Sequence, residues 1–112
     1  MMDVDNDTAL VWIREHMEND LLKPNDDWDD SIFLFYTYSR FSAEEIYDRI
    51  AEEAMILPYP VSNEIQRTPL EIINEFIDEL DAYHEEATSR SAQKMFEYAK
   101  YEALDILDIL YS

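Results

Sequence analysis

Glycine does not occur once in 112 residues, where average usage near 7% would place about eight. Tight hairpins usually call on Gly or Asn-Gly turns, so its absence favours helices over antiparallel sheet. It also removes phosphate-cradling loops, dinucleotide fingerprints and nucleophile elbows, each of which is built on glycine. Cysteine is missing too, which excludes disulfides, thiolate nucleophiles and cysteine-ligated zinc, and suits a reducing compartment. With 47% apolar and 13% aromatic residues, the chain carries enough to build one core, and a single all-α domain over 1–112 is expected. No basic start precedes an apolar stretch, and the longest apolar-rich run, 32–38, is far too short to span a bilayer. A cytoplasmic protein with no membrane contact is expected.

Apolar periodicity predicts four or five helices. Ala92, Met95, Phe96, Ala99, Ala103, Ile106, Leu107 and Leu110 form one stripe of a helix over 91–111, at the spacing of one helical face. Thr68-Pro69-Leu70-Glu71 combines an N-cap, a first-turn proline and a capping-box acid, and opens a helix to 86. Its expected buried stripe is Leu70, Ile73, Ile77, Leu80 and His84. A second capping box, Ser42 to Glu45, predicts a helix through Ile46, Ile50, Ala54 and Leu57, stopped at Pro58. Leu10, Ile13, Met17 and Leu21 mark a first helix over 7–22. The run 28–40 has strand-like composition, but a lone strand lacks a partner, so helix is the reading taken, with strand the alternative. Residues 59–67 are expected to form a long loop.

Charge limits function as firmly as glycine limits the fold. There are 27 Asp and Glu against eight Lys and Arg, a formal net charge of −19, which opposes compaction through self-repulsion. The acids follow helix faces. Glu71, Glu75, Asp78 and Glu85 line one face of the predicted fourth helix, flanked by Glu79, Asp81 and Glu86. Glu44, Asp48 and Glu52 repeat the device on the third, and Glu97, Asp105 and Asp108 on the fifth. Like charges four residues apart oppose helix formation by a few tenths of a kcal/mol, yet a four-residue step of about 6 Å is comparable with the spacing of phosphates along a strand. Such faces can occupy a groove built for DNA. The bland alternatives are solvated surfaces of a halophilic kind, or a plain helical scaffold.

Direct nucleic-acid binding is excluded by the sign of the charge. His16 and His84, the two histidines, offer a general acid or base in principle, but His84 falls on an apolar stripe. Asp81-x-x-His84 has the spacing of half a di-iron carboxylate motif without the second copy that such sites need. Asp3, Asp5 and Asp7 resemble the start of a calcium loop, but Thr8 and Arg14 stand where Gly and Glu are required. No catalytic residue, metal or cofactor is expected, and the chain is not read as an enzyme. The aromatics, Trp12, Trp28, Tyr36, Tyr38, Tyr59 and Tyr98 among them, are mostly assigned to the core. Tyr101, between Glu97 and Asp105, is the candidate interface anchor.

In its acidic helix faces, its acid-rich 15–30 segment (EHMENDLLKPNDDWDD) and its aromatic-bearing last helix, the chain resembles the phage Ocr-type DNA-mimic anti-restriction proteins. The resemblance implies a small all-helical protein whose carboxylates imitate bent duplex DNA; the apolar stripes themselves lead to the expectation of a monomer or homodimer. It implies as partner a DNA-binding protein or nuclease complex of a host defence system, met in the host cytoplasm if the chain is phage-encoded. Anti-CRISPR and other counter-defence mimics fit the same pattern. The rival reading is an acidic immunity protein or antitoxin that neutralises one basic nuclease. It predicts one dominant patch, whereas a mimic spreads its charge along an axis.

Overall fold

A computed structural model of the chain describes residues 4–21, 30–55 and 67–111. Four helices account for nearly all of them: α1 (Asn6–Asn19), α2 (Asp30–Met55), α3 (Pro69–Glu86) and α4 (Arg90–Tyr111). No strand occurs among the described residues, so the fold is all-α. Principal extents are 52 × 33 × 25 Å.

The helix starts follow local chemistry. Asp5 caps α1 by accepting from the Thr8 amide at 2.7 Å, and Thr68 caps α3 by accepting from the Glu71 amide at 3.2 Å, with Pro69 in the first turn. Ser89 opens α4 one turn ahead of the periodic stripe, its hydroxyl accepting from the Ala92 amide at 3.1 Å. Helix ends have to be closed without glycine. No described residue has positive φ, so the left-handed closures that glycine usually supplies are absent among them. Instead the Arg40 guanidinium reaches from α2 to the carbonyls of Met17 and Leu21, both at 3.3 Å, placing a cation on the negative end of α1.

The two predicted middle helices are one. Ser42 is not a cap: it sits buried inside α2 and donates its hydroxyl to the Ala99 carbonyl of α4 at 2.8 Å. Nothing between Asp30 and Met55 breaks a helix, since this stretch has neither proline nor glycine, and the Ser42 hydroxyl finds its partner across the interface. The run 30–40 is therefore helix and not strand. Trp28, Leu57, Pro58, Tyr59 and the predicted loop up to residue 66 lie outside the described residues, as does most of 22–30.

The core is shared by all four helices: Ala9, Ile13 and Met17 of α1; Ala43, Ile46 and Ile50 of α2; Ile72, Ile73, Phe76, Ile77 and Leu80 of α3; Ala99, Ala103, Ile106 and Leu110 of α4. Small buried residues, Ser42 on α2 and Ala99 on α4, meet where these two helices pack. The α3 stripe is buried as expected at Ile73, Ile77 and Leu80 but is wider and shifted at its edges: Leu70 is exposed and His84 half-buried, while Ile72 and Phe76 are buried. Packing against both α2 and α4 requires a stripe wider than a single seam. Trp12 is exposed and Tyr36, Tyr38 and Tyr98 are half-buried, so these aromatics, expected in the core, lie outside it. No described helix is long and apolar enough to cross a membrane.

Candidate functional site

Two features compete for attention, an extended acidic surface and one buried polar cluster. Of the acids singled out on sequence grounds, Asp48, Glu52, Glu71, Asp78, Glu85 and Asp108 are exposed, with no basic partner among the described residues. The others are partly neutralised. Glu44 pairs with Arg40 at 3.1 Å and Asp81 with Lys100 at 2.7 Å, while Glu97 stands within hydrogen-bonding distance of the His84 ring at 3.2 Å. Arg49 joins Glu45 of α2 to Glu79 of α3, and its guanidinium lies 4.8 Å from the Phe76 ring centre. Its hydrogen bonds hold the Glu79 carboxyl below the usual range. Arg67 likewise joins Glu53 to Glu75. These two arginines merge the acids of α2 and α3 into one surface. They also sit between carboxylates that outnumber them, so the seam keeps negative charge. The acids of α4 lie elsewhere, Glu97 toward α3 and Asp105 toward α1. The half-motif Asp81-x-x-His84 is split between two partners, and Asp5 is spent as a cap.

The buried cluster was not foreseen from the sequence. His16 of α1 and Glu102 of α4 face each other with side chains only 6% and 4% exposed, Nε2 lying 2.7 Å from Oε1. Asp20 Oδ2 stands 2.9 Å from Nδ1, and Asp105 Oδ2 stands 3.7 Å from Nε2, both carboxylates reaching solvent. Burial opposes charge on His16, but its bonds to Glu102 and Asp20 and the field of Asp105 outweigh this and raise its pKa. Burial raises Glu102 as well, only partly offset by His16. The two groups titrate as a unit. A sequence signal existed for both: His16 lies between Ile13 and Met17, and Glu102 between Ala99 and Ile106, polar residues at core-facing positions. Beside the pair opens a cleft of about 390 Å³, walled by Leu21, Phe35 and the 56%-exposed Tyr101.

These shifts set a stability profile. His16, raised above 6.5, contributes fully below that pH and loses its contribution as pH rises through its folded pKa. Glu102, raised above 4.5, acts with the same sign, because the folded state holds its proton more tightly than the unfolded chain does. Glu79 and Asp5, lowered from 4.5 and 3.8, contribute above those values and lose their contribution as pH falls through their folded pKa values. The melting temperature followed by circular dichroism should therefore fall as pH drops below about 4.5, and fall again as pH rises through the folded pKa values of Glu102 and then His16, most steeply above about 6.5. A maximum at pH 8 would contradict this assignment.

No protein-family model, curated protein or solved structure matches the chain.

Proposed function

We propose that the protein is a DNA-mimic inhibitor, one that binds and does not catalyse, occupying the DNA-binding groove of a partner in a defence system. The observation that carries the reading is the distribution of exposed, unneutralised carboxylates over α2, α3 and α4, with Arg49 and Arg67 fusing two of these helices into one negative surface. The long dimension of 52 Å equals about 15 base pairs at 3.4 Å per step. Spread charge favours mimicry over a single-patch immunity protein, and it agrees with the resemblance to Ocr-type proteins. Such a protein acts in the cytoplasm, where its target meets DNA, in step with a described fold that offers no membrane-crossing helix.

The test is displacement of a fluorescent DNA duplex from purified restriction enzymes and RNA-guided nucleases, read by anisotropy. One of these should lose its DNA as the protein is added, with association that slows as salt rises. Neutralising Glu71, Glu75 and Asp78 together as Gln, Gln and Asn should weaken displacement about tenfold, and adding Glu44→Gln, Asp48→Asn and Glu52→Gln should weaken it further. Binding of the protein and DNA to the partner together, without mutual loss of affinity, excludes the mimic reading. Loss of all binding through one substitution such as Tyr101→Ala, with the acidic variants unaffected, indicates an immunity protein instead.

A further inference from the structure

We propose that His16, Glu102 and Asp105 form a binding site for a divalent transition-metal ion of the zinc class. The inference is independent of the DNA-mimic reading. One ligand atom from each residue, Nε2 of His16 and a carboxylate oxygen from each acid, lies within 4.8 Å of the other two. Ligands at about 2.0–2.2 Å from a tetrahedral zinc stand roughly 3.3–3.5 Å apart. The observed separations of 2.7 and 3.7 Å from Nε2 bracket that figure, and the two carboxylate oxygens lie within 4.8 Å of each other, so an ion would seat by drawing the two acids together around Nε2.

Three further observations distinguish this trio from a chance meeting of acids. The imidazole and one carboxylate are buried, whereas a solvated acidic face holds its groups in water. His16 Nδ1 already donates to Asp20 at 2.9 Å, which is the carboxylate–imidazole arrangement that fixes the ring and presents Nε2 to a metal. Glu102 and Asp105 are one helical step of three apart on α4, so a straight helix aims both at the histidine. The cluster lines the cleft that Leu21, Phe35 and Tyr101 complete.

Imidazole among the ligands selects zinc-class ions over magnesium and calcium, which favour all-oxygen shells. On binding, the ion takes the place of the Nε2 proton, which leaves to solvent. The buried pair closes the fold without the ion, so the metal adds to an already folded chain. Three protein ligands leave a fourth position facing the cleft, open to water or to a donor atom of a bound partner.

The experiment titrates zinc chloride into the full chain in the presence of excess magnesium, which occupies loosely binding surface carboxylates. The imidazole nitrogens of His16 and His84 are followed by long-range ¹H–¹⁵N spectra. One equivalent of zinc should shift His16 Nε2 and leave His84 in place. Asp105→Asn, at a side chain 58% exposed, should keep the helical spectrum while lowering zinc affinity at least tenfold. Asp20→Asn should lower it about 10- to 100-fold through the orienting bond. An unmoved His16 at saturating zinc, or equal affinity in wild type and Asp105→Asn, overturns the site and assigns any zinc uptake to the acidic surface.

Discussion

Replacing His16 by alanine is expected to cost about 3–5 kcal/mol, because it leaves Glu102 buried without its partner. For a domain whose total stability is on the order of 5–15 kcal/mol, that is enough to unfold much of the population. Glu102→Ala should be costly for the mirror reason, since a histidine raised by its carboxylates is then left in the interior. The double replacement His16→Leu with Glu102→Leu should recover most of the loss, as well-packed apolar residues can replace a buried ion pair at little cost. Urea titrations of the four proteins form a double-mutant cycle. Additive single losses would show that the pair is not coupled and that the cluster contributes only volume.

Phe76→Ala should cost about 3–5 kcal/mol, as for large-to-small changes in a packed core, its ring being 4% exposed. The loss extends beyond the cavity, because Arg49 stacks on this ring while holding Glu45 and Glu79. Leu70→Ala, at a side chain 37% exposed, should cost less than about 1 kcal/mol. Urea midpoints distinguish the two directly. Comparable losses would mean that Leu70 lies in the buried stripe after all.

That contrast marks how much could be read from the residues alone. Capping chemistry is local, so Thr68 and Pro69 announced α3 correctly, and a single unbroken stripe placed α4 to within one residue. Where tertiary contacts decide, local reading failed. Ser42 carries a capping signature but spends its hydroxyl on the Ala99 carbonyl, 57 residues away. Regular spacing found Ile73, Ile77 and Leu80 of the face that α3 buries, but its two neighbours add Ile72 and Phe76 and leave Leu70 out. The acids were all visible, and so was the four-residue spacing that pairs Arg40 with Glu44, but the pairing across helices was not, since Arg49 meets Glu79 and Arg67 meets Glu53 only once α2 and α3 are side by side. His16 and Glu102 were each legible as a polar residue on an apolar stripe. Their meeting across 86 positions needed the fold.

The lack of any positive-φ residue among those described has a consequence for the denatured chain. Glycine gives up more conformational freedom on folding than any other residue, and its replacement at a compatible position stabilises by about 0.4–1 kcal/mol through the unfolded ensemble. Roughly eight absent glycines therefore stiffen the unfolded chain by an entropy worth a few kcal/mol. That saving is insensitive to salt, whereas mutual repulsion among the carboxylates fades as ions screen it. A chain this highly charged can thus remain folded in dilute buffer, where its field reaches furthest, because part of its stability comes from what the unfolded state lacks.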